Sequence, residues 1–170
     1  RSGRTYFSPV YFRKESEPYI TIAMAGRGQD AGVTVADVNL KFIWDVISQI
    51  KIGKAGHAYV VDSRGNLIAH PDISLVLQKT NLSSLPQVRD KLAGPPRPGE
   101  GREEVTIAQD LSGRQILTAH AAIVPLGWLV FVEQPLAEAF APLYASISRT
   151  VILLAVGIGI SVLGSVFLAR

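Results

Sequence analysis

The chain has 170 residues, 18% of them charged, with a formal charge of +3 at pH 7 and no cysteine. That length admits one ordinary domain with a sizeable core. The missing cysteines exclude a disulfide framework and a thiolate metal site, and the scattered basic residues form no phosphate-neutralising stripe for nucleic acid.

Arg4 to Phe12, rich in Tyr, Phe and Val, reads as a strand, and Arg13 to Glu17 as a polar turn. Tyr19 to Ala23 makes a second strand. Gly26, Gly28 and Gly32 loosen the next connection before a third strand, Val33 to Val38. Asn39 is a good N-cap for a helix running to about Lys51, with Leu40, Ile43, Trp44, Ile47 and Ile50 on one face. A hairpin follows, Ala58 to Asp62 and Leu67 to His70, around the turn at Ser63 to Asn66. Residues 73 to 93 read as short helical pieces, with Pro86 near a helix start and Gly94 past its end. Beyond a Pro/Gly-rich loop to Gly101 come strands at Glu103 to Gln109, Gln115 to Ile123 and Trp128 to Glu133. A last helix begins near Leu136.

That helix leads into Val151 to Ala169, nineteen positions with no charged residue and twelve Val, Ile, Leu or Phe. At about 1.5 Å per residue the run spans roughly 28 Å, close to the hydrocarbon thickness of a bilayer. Its large apolar side chains favour insertion by about 4 to 7 kcal/mol together. We therefore expect a transmembrane helix at the C-terminal end. With no export signal near Arg1 and a stop at Arg170, we expect a piece of a longer protein.

Strand, turn, strand, Gly-bearing turn, strand and helix occur in that order from Arg4 to Lys51, and again from Glu103 to Arg149. Thr21-Ile22-Ala23 before Gly32-Val33 parallels Leu117-Thr118-Ala119 before Gly127-Trp128. An antiparallel meander closed by a helix is half of a PAS-like module. The expected fold class is α+β, PAS-like antiparallel sheets with flanking helices, followed by one transmembrane α-helix.

Six segments taken together, Tyr6 to Tyr11, Pro18 to Ala23, Gly32 to Asp37, Gly56 to Asp62, Gly65 to Pro71 and Gly127 to Val132, resemble the double Cache domains. These are extracytoplasmic sensors of bacterial receptors. The resemblance implies that residues 1–51 end a membrane-distal module and its linking helix. Residues 52–134 would form the membrane-proximal module, 135–150 a juxtamembrane helix and 151–169 the membrane span. It also implies a small-molecule ligand, an amino acid or small carboxylate, held by the distal module. In amino-acid-binding members a late-strand Tyr and a last-strand Asp contact the ligand's amine, and Tyr11 and Asp37 match them here. The family's earlier Arg and Trp would lie before Arg1.

Each candidate also has a plainer role. Asp37 could meet an ammonium or help cap the following helix. Tyr11 and Tyr19 could offer hydroxyls to a ligand or pack as strand aromatics. Tyr59, Asp62, His70 and His120 could line a small polar pocket, Tyr59 and His70 as ligand contacts. Equally, His70 before Pro71 could simply end a strand, and a structural role suits His120 too. With His57 the histidines lack ligand spacing, so no metal is expected, and no cofactor. Trp128 and Trp44 read as core anchors. Gly157, Ser161, Ser165 and Ala169 recur every fourth residue, a small-residue stripe suited to a homodimer seam.

No nucleophile elbow, phosphate loop or zinc-protease motif is present, and Glu103 and Glu104 point to opposite faces of a strand. We expect no enzyme in this stretch. The expected setting is a bacterial inner membrane, with the globular part periplasmic and a histidine kinase as output. A nucleotide cyclase, a chemoreceptor, or a membrane-anchored binding or assembly protein without signalling are the alternatives.

Overall fold

The computed structural model describes residues 5–13, 17–26, 32–94 and 105–169. Outside them lie Arg4, residues 14–16 of the expected polar turn, Gly28, the Pro/Gly-rich loop beyond Gly94, the Glu103–Glu104 pair and Arg170.

The first sheet is built around the long strand β3 (Glu17–Ala25), with β4 (Val33–Asn39) antiparallel on one edge. Along the other edge run β1 (Thr5–Phe7) and β2 (Tyr11–Arg13), both antiparallel to β3. A single strand from Arg4 to Phe12 was the expectation, and the structure corrects it. Pro9 has no N–H to give a ladder. Ser8 bridges the break: its N–H donates to the Thr21 carbonyl at 2.9 Å, and its Oγ accepts the Thr21 N–H at 2.9 Å.

Alternation along β3 sends Pro18 and Ile20 inward and leaves Glu17, Tyr19 and Thr21 half-exposed on the opposite face. The register carries this polarity across the sheet, pairing Tyr11 with Tyr19, Tyr19 with Asn39, and Thr21 with Asp37. Asn39 still belongs to β4, and Leu40 holds the N-cap position of α1 (Lys41–Gln49). The Asn39 side chain reaches over it and accepts the Lys41 N–H at 2.8 Å. Asn39 was the expected N-cap; the structure places Leu40 there, and Asn39 satisfies a first-turn N–H from one position further out.

The second sheet is antiparallel throughout, in the order β6 (Leu67–Ala69), β5 (His57–Val61), β9 (Trp128–Pro135), β8 (Gln115–Ile123), β7 (Thr106–Gln109). Its first face joins Ala58, Val60 and Trp128 to Ile20 of β3 and to Leu40 and Ile47 of α1 in one core. On its other face Tyr59, Val61, Leu129 and Phe131 pack beneath α2 (Ile73–Leu77) and α3 (Pro86–Leu92) through Val76, Leu82 and Val88. β5 is thus buried from both sides, which is why His57 to Val61 reads as a nearly unbroken apolar run. Trp128 is a core anchor as expected. Trp44 differs: it is half-buried, and its Nε1 donates to the His70 carbonyl at 2.8 Å, fastening α1 to the end of β6.

β9 passes directly into α4 (Leu136–Leu168), 33 residues of continuous helix. Leu136–Ser165 is long and apolar enough to cross a membrane, and none of that apolar stretch is buried in the chain. A core helix of the same composition would be mostly covered by its own domain. The fold is α+β, two antiparallel sheets with helices and a C-terminal apolar helix.

Candidate functional site

Two places gather polar side chains on a rigid sheet. The first is the outer face of the first sheet. Tyr11 and Tyr19 are opposite each other in register and stack with ring centroids 6.2 Å apart. Arg13 lies above both, its guanidinium carbon 5.6 Å from the Tyr11 ring and 4.8 Å from the Tyr19 ring. From there it forms an ion pair with Asp37. The second Asp37 oxygen accepts the Thr21 hydroxyl at 2.6 Å, and Tyr11 Oη lies 3.2 Å from Thr21 Oγ1. The Thr21 and Arg13 hydrogen bonds hold the Asp37 carboxyl below the usual carboxylate range.

Of the two sequence readings of Asp37, helix capping finds no support, because Asn39 does that work. Asp37 does meet a cation, but it is the guanidinium of Arg13 and not a ligand's ammonium. The signal for Arg13 was present in the chain: it stands two residues after Tyr11 on a strand, hence on the same face. Tyr19 joins this cluster too, donating to Glu17 at 3.2 Å and accepting from Asn39 Nδ2 at 3.1 Å.

The second place is a cavity of about 270 Å³ under α2 and α3, on the face of the second sheet turned away from α1. Tyr59 and His70 both line it, so the structure brings these two expected residues together, with ring centroids 6.1 Å apart. His57 joins them, 5.0 Å from His70 in an edge-on arrangement. Burial lowers both histidines' pKa, so both are neutral at pH 7. The Tyr59 hydroxyl is not free for a ligand: it donates to Glu133 Oε1 at 2.6 Å. His70 Nδ1 likewise accepts the Asp72 N–H at 2.9 Å.

Glu133 is the residue that sequence reading passed over. It is 3% exposed, beside Thr118 in register and directly across from His57 on β5. Burial pushes its pKa up, and hydrogen bonds from Tyr59 and Gln87 oppose that only in part. One clue was available, a charged residue at an inward position of the otherwise apolar run Trp128 to Val132. At the rim, Asp110 accepts Arg114 Nε at 2.8 Å.

Of the remaining candidates, Asp62 and His120 lie outside that cavity. Asp62 closes the β5–β6 turn, accepting the Arg64 and Asn66 N–H groups at 2.8 and 2.9 Å. His120 lies on the same face as Phe131, ring centroids 5.9 Å apart, and lines a neighbouring cavity under α3. Among the described residues no group of three or more His, Asp or Glu is placed to hold a metal ion. On α4, Gly157, Ser161 and Ser165 line one shallow groove together with Thr150, Leu154 and Ile158.

Comparison with known proteins finds a match to the Cache domain family over residues 1–143. The methyl-accepting chemotaxis protein PscA of Pseudomonas syringae pv. tomato is 34% identical over 77 residues, 39% of this chain and 12% of its own length. McpG of Pseudomonas putida, also a methyl-accepting chemotaxis protein, is 30% identical over 94 residues, 55% of this chain and 15% of its own. The chain therefore spans a small part of these relatives. Among solved structures, the extracellular domain of mmHK1S-Z2, named as a histidine kinase, superposes with a TM-score of 0.63 at 18% identity, covering 79% of this chain and 52% of that one. The ligand-binding domain of the Pseudomonas aeruginosa amino-acid chemoreceptor PctB, solved with L-Gln, gives 0.55 at 23% identity, with 89% and 60% covered. That of Mlp24, solved with asparagine, gives 0.57 at 18% identity, with 81% and 53% covered. At these identities the structures share the fold.

Proposed function

The chain belongs to the Cache domain family, and from that premise we propose that it is the extracytoplasmic small-ligand sensor of a transmembrane receptor. The observation that carries the ligand reading is the Arg13–Asp37 pair laid over Tyr11 and Tyr19 on an open sheet face. An amino acid carries an ammonium and a carboxylate. Its ammonium would take the place of the guanidinium at Asp37, and its carboxylate would receive the released Arg13 in a two-pronged pairing. The exchange is cheap, because both partners of this ion pair face water, which screens their attraction. The asparagine bound by Mlp24 and the glutamine bound by PctB carry this pair of groups, which supports the same class here.

In this reading the globular part stands outside a bacterial inner membrane and performs no catalysis. α4 crosses the bilayer and pairs with a second copy through Gly157, Ser161 and Ser165. A histidine kinase output agrees with the mmHK1S-Z2 likeness. The second reading, a chemoreceptor output, is favoured by the two chemotaxis relatives, whose identities exceed those of the quoted structures. The coding sequence downstream of Arg170 decides between them.

The ligand reading is tested by calorimetric titration of the full-length gene product with asparagine, glutamine and their decarboxylated and deaminated analogues. Saturable binding that needs both groups and falls at least about tenfold in Asp37→Asn is the expected result. Unchanged affinity in Asp37→Asn, or equal binding of the deaminated analogue, would overturn it.

A further inference from the structure

We propose that the cavity beneath α2 and α3 is a second ligand site, separate from the outer face of the first sheet, and that it takes a small organic cation, a primary ammonium on a short hydrocarbon chain. Three carboxylates line the cavity, Glu133, Asp72 and Asp110, against one guanidinium, Arg114. Arg114 is already committed to Asp110 at 2.8 Å, and Asp72 is committed to the first turn of α2 through the Ser74 N–H at 3.0 Å.

That leaves Glu133. The ion pairs among the described residues are Arg13–Asp37, Arg89–Asp90 and Arg114–Asp110, and none of them includes it. A carboxylate 3% exposed is costly to keep charged without a cation, and its hydrogen bonds from Tyr59 and Gln87 come from neutral groups. A ligand ammonium entering the cavity would supply the missing charge in a low-dielectric setting, where the attraction is strongest.

The rest of the lining suits the rest of such a ligand. The neutral His57 ring that lines the cavity has one acceptor nitrogen to offer. Leu75, Leu82 and Leu85 form an apolar wall for the hydrocarbon part. The space of about 270 Å³ lies just below the usual range for drug-sized ligands and fits a small metabolite. The site also adjoins α1, whose Trp44 Nε1 donates to the His70 carbonyl.

The test is calorimetric titration of the full-length gene product in lipid nanodiscs with n-butylammonium chloride, with sodium butyrate as counter-probe. One saturable site for butylammonium is expected, weakened at least about tenfold in Glu133→Gln, which keeps an acceptor for Tyr59 and removes only the charge. Leu111→Trp, at the exposed mouth of the cavity, should weaken binding without touching the carboxylate. Asp37→Asn should leave it intact, which separates this site from the first-sheet reading. Lack of saturable butylammonium binding, wild-type affinity in Glu133→Gln, or butyrate binding as tightly as the amine would each overturn the proposal.

Discussion

The Glu138 carboxylate accepts the backbone N–H of Ala55 at 2.9 Å and that of Lys54 beside it. Glu138 lies in the first turn of α4, and Ala55 in the turn that joins α1 to β5. One side chain therefore ties the membrane-directed helix to the connection between the two sheets. The turn is shaped for it: Gly53 has φ +61°, and a Cβ there would fall on the Glu138 carboxylate. Pro142 offers no N–H to the Glu138 carbonyl four residues back, so the start of α4 is held less by its own ladder and more by this grip.

Glu138→Ala removes two charge-assisted hydrogen bonds at a partly exposed site, for an expected loss of about 1 to 2 kcal/mol in urea denaturation. Ligand affinity should stay near wild type while the ligand-dependent output weakens. Gly53→Ala should reproduce both effects, adding about 1 kcal/mol of backbone strain in the left-handed region. A normal output in both variants would mean that the grip is structural only.

Tyr59→Phe strips the buried Glu133 of its 2.6 Å hydroxyl partner. A buried acceptor left without its donor costs about 1 to 3 kcal/mol. Adding Glu133→Met to Tyr59→Phe should restore most of that loss, because the unpaired group is then gone. Equal instability of the single and double variants, by chemical denaturation, would show that Tyr59 acts through packing on Phe131 instead, whose ring lies 5.3 Å away.

The pH dependence has two opposed limbs. His57 and His70 have folded pKa values lowered by burial, so below about pH 6.5 the unfolded chain binds more protons and stability falls with falling pH. Glu133 has its folded pKa raised, so its contribution is present at low pH and is lost as pH rises from 4.5 through the folded value. Glu133→Gln removes the second limb alone. Its melting temperature should climb more steeply between pH 5 and 7 (about the histidine range) than wild type does. Parallel melting curves for the two proteins would contradict the buried, unpaired carboxylate.

Most of the fold was legible because its signals are local. The face Leu40, Ile43, Trp44 and Ile47, the start of α4 at Leu136 and the strand Gln115 to Ile123 follow from period and punctuation. The break at Pro9 carried a local mark in the proline itself, but the Ser8–Thr21 bonding that bridges it, thirteen residues apart, did not. The candidate sites divide the same way. Tyr11 and Asp37 were found as residue types on strands, but Arg13 as the cation between them needed the β2–β3–β4 register. For Glu133 the inward position beside an apolar run was the one local clue, and it does not by itself say that the carboxylate is buried. Only the cover of α2 and α3, and the pairing of β9 between β5 and β8, takes it from water.

The small-residue stripe on α4 makes a last prediction. Gly157, Ser161 and Ser165 line one groove, whereas Leu163 points away, 72% exposed on another side of the helix. In lipid no hydrophobic drive separates these faces, so close backbone approach decides which one meets a partner, and small side chains allow it. Since the chain has no cysteine, an introduced one reports its own position. Ser161→Cys should cross-link efficiently between copies in membranes, and Leu163→Cys should not. Filling the groove with Gly157→Leu should lower the Ser161→Cys cross-link about tenfold, as expected from losing about 1 to 2 kcal/mol of helix packing. Efficient cross-linking through Leu163→Cys instead would place the seam on the opposite face of α4.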